Sequence, residues 1–170
     1  MDGCEKLVLT HGELRFTAWT RGDGPCVLLL HGFPDLPQTW EGLMPALAEA
    51  GYKAVSVTNR GYETSSISPA QDYQLTTLAS DVFAWLEALG EESVHLIGHD
   101  WGAAIASAAA AKKPALFRSL CMVSVPHSGR FAEFATKSLK QLWMSRYIML
   151  FQLQGTAERK VARANCEYLE

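Results

Sequence analysis

The sequence predicts an α/β architecture, a doubly wound and mostly parallel sheet with helices on both faces, followed by the start of a helical cap. Three observations carry that prediction. Short apolar runs of strand length alternate with segments of helical periodicity, the pattern of right-handed β-α-β crossovers. One run, CVLLL at residues 26–30, is apolar without interruption, as a strand buried on both faces must be. After Pro126 the alternation stops: residues 130–170 contain no proline, one glycine and many bulky side chains. The expected division is residues 1–127 for the sheet-containing core and 128–170 for the cap.

Taken in order, residues 6–10 and 14–20 flank His11-Gly12-Glu13 and read as a hairpin. Arg21-Gly22-Asp23-Gly24-Pro25 breaks the chain before the CVLLL strand. Residues 38–51 place Trp40, Leu43, Met44, Leu47 and Ala48 at helical spacing and end on Gly51, which predicts one helix. Residues 53–57 read as a strand, and 75–89 as a helix closed by Gly90. Residues 94–97 form a further short strand, an alanine-rich helix follows over 101–112, and 118–125 is the next strand.

Composition narrows the function classes. Of 170 residues, 48% are hydrophobic and 19% charged, which is globular rather than disordered or fibrous. The net charge of −3 and the absence of a basic run argue against nucleic acid as a partner. Charge is uneven: residues 137–170 hold six basic and three acidic groups, and residues 1–136 hold nine and fifteen. Cys4, Cys26, Cys121 and Cys166 show no metal-binding spacing, and two of them sit in apolar runs, where thiols act as small hydrophobes. The N-terminus carries acid instead of a basic leader, and no apolar run is long enough to span a bilayer, so a cytoplasmic protein without membrane attachment is expected. No metal cluster, phosphate loop or dinucleotide fingerprint is present, and neither metal nor cofactor is expected.

The chemistry concentrates in two motifs. Gly98-His99-Asp100-Trp101-Gly102 joins a strand to the alanine-rich helix with small residues on both sides of a central polar one, the pattern of a nucleophile elbow. Serine is the usual occupant. An aspartate there attacks as a carboxylate and needs no base to create the nucleophile, and the helix N-terminus behind it favours the charged form. The alternative is that Asp100 only caps the helix, since aspartate is a favoured N-cap. His31-Gly32-Phe33-Pro34 follows the CVLLL strand, 69 residues before Asp100. In a hydrolase built this way that loop supplies one backbone N–H of an oxyanion hole and the residue after the nucleophile supplies the other, which would be Phe33 and Trp101.

Together with Asp35, Asn59-Arg60-Gly61-Tyr62 followed by Ser65, Ala103, and Val125-Pro126-His127, these motifs make residues 14–155 resemble the α/β-hydrolase superfamily. Within it, the chain is most similar to aspartate-nucleophile epoxide hydrolases and their haloalkane dehalogenase relatives. Glu63 stands where the family's Arg-Gly-Tyr-Gly-x-Ser pattern has its second glycine, and Arg60 is expected to hold loops together. Tyr147-Ile148-Met149-Leu150-Phe151-Gln152 resembles a stretch of the epoxide hydrolase cap, which implies Tyr147 as the phenol that protonates the opening epoxide oxygen. Its other reading is helix packing against Trp143 and Phe151, four residues to either side. The resemblance also implies His31, Pro34, Trp143 and Phe151 as pocket residues and a small hydrophobic epoxide as substrate.

The same resemblance implies an acid and a water-activating histidine later in the chain, and no histidine follows His127. The sequence is therefore expected to be the N-terminal portion of a hydrolase, with a second chain as another carrier of the rest. Opening of an epoxide to a vicinal diol through an aspartyl ester is the leading function. One alternative is haloalkane dehalogenation, for which Phe33 offers no side-chain halide donor. The other is a non-catalytic half-hydrolase that acts as an interaction protein.

Overall fold

The computed structural model describes residues 1–125, 143, 153 and 155–162. They belong to two compact units, Met1–Pro126 and His127–Glu170. In the second, Thr156–Ala162 is a short helix entered at Leu153, whose carbonyl accepts the Thr156 and Ala157 amides.

The first unit is built on a six-stranded mixed sheet. Its strands are β1 (Glu5–His11), β2 (Leu14–Arg21), β3 (Cys26–Leu30), β4 (Lys53–Val57), β5 (Val94–His99) and β6 (Phe117–Val123), in the order β1-β2-β4-β3-β5-β6. The β1–β2 and β2–β4 pairs are antiparallel, and β4, β3, β5 and β6 run parallel. Between the strands lie α1 (Leu43–Glu49), α2 (Leu75–Leu89) and α3 (Trp101–Lys112).

The uninterrupted apolar run of β3 has a direct explanation. Cys26, Leu28 and Leu30 face one core with Phe16, Val55, Trp85 and Ile105, while Val27 and Leu29 face a second with Trp40, Met44 and Ala54. Alternate side chains leave opposite faces of a strand, so a central strand covered on both sides has no polar position to spare. Phe16 and Trp85 meet edge-on in the larger core, ring centroids 5.1 Å apart.

Helix α2 stops where the sequence places its end, because Gly90 takes the left-handed conformation (φ 69°) that a C′ residue needs. The expected single helix over residues 38–51 is a correction. The chain makes a 3₁₀ turn at Pro37–Trp40, and α1 begins only at Leu43. Pro45 is the cause. An unbroken helix would drive its ring into the carbonyl of Glu41 and ask for an amide proton it lacks, whereas in the first turn of α1 neither is required.

The connection from β3 leads to β4 on one side, and the connection from β5 leads to β6 on the other. Open parallel sheets form a crevice at the carboxyl ends of their strands where the winding direction reverses. The loops that follow β3 and β5 flank that crevice, and they carry the two motifs.

Candidate active site

Asp100 occupies the turn between β5 and α3 with φ 50° and ψ −117°, a backbone conformation that side chains other than glycine rarely adopt. Its side chain makes no capping bond to the helix it precedes. The carboxylate instead reaches across to the loop after β3, where the Phe33 N–H donates to Oδ1 at 3.0 Å. Helix capping therefore does not account for this residue. The turn is anchored on its other side, where the Asp100 N–H donates to the Val123 carbonyl of β6 at 3.1 Å.

The glycines around Asp100 are there because the backbones approach too closely for a Cβ. One on Gly102 would lie 2.3 Å from the Leu30 carbonyl oxygen, and one on Gly98 would lie 2.4 Å from the Gly102 carbonyl oxygen. On the facing loop, a Cβ on Gly32 would lie 2.5 Å from the Cβ of Asp100. Strand, turn, helix and facing loop are thus closely packed, with the Asp100 side chain lying over Gly32 of the facing loop.

His31 is a correction to the expected pocket. It is wholly buried, its Nδ1–H donates to the Gly32 carbonyl (2.9 Å), and its Nε2 accepts the Asn59 N–H (3.0 Å). Asn59 Nδ2 returns a bond to the His31 carbonyl at 2.7 Å. Accepting at Nε2 fixes the proton on Nδ1, and burial pushes the imidazole pKa below its usual value, so the ring is neutral. It ties the loop after β3 to the loop after β4. Pro34, on the far side of a cis Phe33–Pro34 bond, is exposed and does not line the cavity described below. His99 Nδ1 lies 3.8 Å from Asp35 Oδ2.

A cavity of about 370 Å³ adjoins Phe33, whose amide holds the carboxylate, and Trp101, the residue after Asp100. Its other walls include Arg60, Tyr62, Tyr73 and Leu78. The Tyr62 ring stands edge-on to His31 with centroids 4.6 Å apart. Burial, with the nearby Asp100 and Asp35 carboxylates, pushes the Tyr62 phenol up to about 12, so it keeps its proton at neutral pH. Arg60, expected to hold loops together, instead ties its loop to a helix: Nε and Nη2 grip Asp81 of α2 at 2.7 and 2.5 Å. Asp81 Oδ1 also meets His11 Nδ1 at 2.6 Å, and the Asp81 carboxylate holds the Arg60 pKa above its usual value.

Tyr62, Tyr73 and Leu78 were not among the expected site residues. For Tyr62 the available signal is position, since residues 58–63 follow a strand in the same parallel layer as the two motif loops; Tyr73 and Leu78 carry no such signal. Of the cap residues expected at the site, Tyr147 and Phe151 lie outside the described residues. Trp143 is helical and 65% exposed. Among the described residues there is no cluster able to hold a metal, and no helix is long and apolar enough to cross a membrane.

A strained acidic residue between β5 and α3, facing an amide donor from the loop after β3, defines an α/β-hydrolase core. Residues 25–162 match the alpha/beta hydrolase fold family, and the chain belongs to it. It is 32% identical over 174 residues to the AB hydrolase superfamily protein YfhM of Bacillus subtilis, covering 100% of this chain and 60% of that one. It is 42% identical over 108 residues to epoxide hydrolase B of Mycobacterium tuberculosis, covering 63% of this chain and 30% of that one. The solved structure of an epoxide hydrolase from an endophytic Streptomyces superposes with a TM-score of 0.80 at 32% identity, over 96% of this chain and 50% of that one. The matched stretches thus cover between 30% and 60% of the lengths of these relatives.

Proposed function

We propose that this chain carries the nucleophilic half of an epoxide hydrolase, with Asp100 as the residue that is alkylated. The observation that supports this most is the Asp100 side chain itself. It sits at a strained turn, makes no cap, and has Oδ1 engaged by the Phe33 amide at 3.0 Å. Holding Oδ1 leaves Oδ2 as the attacking atom. Oδ2 bonds to an epoxide carbon, the ring C–O bond breaks, and its electron pair stays on oxygen as an alkoxide. A phenol, the role proposed for Tyr147, supplies the proton and becomes a phenolate, which recovers a proton when water hydrolyses the ester. Of the two water protons, one passes through the base to the departing diol oxygen and the other returns to the phenolate. The product is a hydroxyalkyl ester of Asp100, and its carbonyl oxygen is the atom already facing Phe33 N–H, where negative charge develops when water attacks. The Trp101 amide, at the first position of α3, is the proposed second donor. Attack by water then returns the carboxylate and releases a vicinal diol. That step needs a base, proposed to be the late histidine of the resembled family.

The alkylation step is testable on this chain. Incubation with styrene oxide, followed by peptide mass spectrometry, should find one adduct, on Asp100, and Asp100→Asn should abolish it. Labelling of Asp100 by a 1-chloroalkane but not by the epoxide would replace this reading with dehalogenation. An unlabelled Asp100 in a folded protein would leave the interaction-protein reading.

A further inference from the structure

We propose that the cavity beside Asp100 is the seat of the substrate's aryl arm, and that Tyr73 sets the preference for an aromatic over a short aliphatic epoxide. This rests on the epoxide-opening reading of Asp100.

Size is the first argument. A cavity of about 150 Å³ lined by apolar side chains holds benzene, and this one, at about 370 Å³, has room for a phenyl ring and the carbons that join it to an oxirane. Charge is the second. The single cationic side chain in the wall, Arg60, has its guanidinium gripped by Asp81, whose side chain is 1% exposed. Its charge is compensated inside the protein, so the wall does not call for an anionic substrate. The remaining side chains are aromatic or aliphatic.

The third argument is how the two tyrosines are seated. Tyr62 is held against the hydrogen-bonded His31 ring, at 81° to it, and forms a fixed wall. Tyr73 lies over Gly61, where a Cβ would come within 2.9 Å of its Cε1. Gly61 also has φ 87°, so the turn itself favours glycine there, and the Tyr73 ring covers it closely. Leu78, 3% exposed, closes the base. Tyr73 itself is 39% exposed, so its truncation removes wall without opening the core. Aromatic faces at edge or offset distance favour a ring over an alkyl chain of similar area.

The test compares Asp100 ester formation by styrene oxide and by 1,2-epoxybutane in the full chain. Tyr73→Ala should lower the ratio of the two rates by about fivefold to tenfold, while Tyr73→Phe should hold it within about twofold, because the ring face and not the hydroxyl does the selecting. Should Tyr73→Ala fail to fold by circular dichroism, Tyr73→Leu takes its place. An unchanged ratio in the truncated variant, or an equal loss in Tyr73→Phe, overturns the assignment while leaving the alkylation of Asp100 standing. If neither epoxide labels Asp100, the epoxide reading fails and the cavity is tested by itself. Binding of 1-phenyl-1,2-ethanediol, followed by tryptophan fluorescence, should then weaken about fivefold to tenfold in Tyr73→Ala. No binding, or binding that ignores Tyr73, overturns the aryl seat as well.

Discussion

Asp81→Ala is expected to be among the most damaging single changes in the core, and the structure says why. Asp81 lies on the apolar face of α2 between Leu78 and Trp85, with its side chain 1% exposed. Two nitrogens of Arg60 and one of His11 converge on its carboxylate at 2.5 to 2.7 Å. The Arg60 side chain is 6% exposed, so removing the carboxylate leaves a largely buried guanidinium without its partner. Breaking a buried pair in this way costs about 3–5 kcal/mol, against a total of about 5–15 kcal/mol for a typical domain. With a urea slope of about 2 kcal/mol/M, a 4 kcal/mol loss lowers the unfolding midpoint by about 2 M. The assay is urea unfolding followed by tryptophan fluorescence, for which buried Trp85 is a reporter. Replacing both partners, Arg60→Met with Asp81→Leu, removes the stranded charge and should recover all but about 1–2 kcal/mol. A single-variant loss under about 1 kcal/mol, or a double variant as unstable as the single one, would refute the reasoning.

Two further expectations follow from the elbow and the loop that faces it. Gly102→Ala places a methyl group 2.3 Å from a backbone carbonyl that no rotamer change can move, so the loss should reach about 3 kcal/mol, the upper end for overpacking; a melting temperature within a degree of the parent would contradict this. His31 is buried neutral with its pKa lowered, whereas the unfolded chain takes up that proton near pH 6.5. Stability should therefore hold above about pH 6.5 and fall on acidification below it, by up to about 1.4 kcal/mol per pH unit, until the folded state also binds the proton. Urea midpoints at pH 7.5 and 5.5 should diverge less in His31→Asn than in the parent, and equal divergence would remove His31 as the cause.

Local pattern alone determined much of this protein. The unbroken CVLLL run, the alternation of strand and helix, Gly90 as a helix stop and the small-x-Asp-x-small turn are each legible in the sequence, because periodicity and special φ values are properties of neighbouring residues. Pro45 was legible too, as a reason to divide residues 38–51, but the apolar spacing around it masks the signal. Only the tertiary structure decided what Asp100 does with its oxygens, since its partner Phe33 is 67 residues away and capping the adjacent helix was also open to an aspartate. The same holds for His31, which lies beside the site yet spends both ring nitrogens on holding two loops together. It holds for Asp81, whose place on an apolar helix face shows that it needs partners without showing that they are Arg60 and His11. The cavity walls from Tyr62 to Leu78 belong to this group as well. A parallel sheet gathers the loops at the carboxyl ends of its strands into one place, so residues with no pattern in common along the chain become neighbours there.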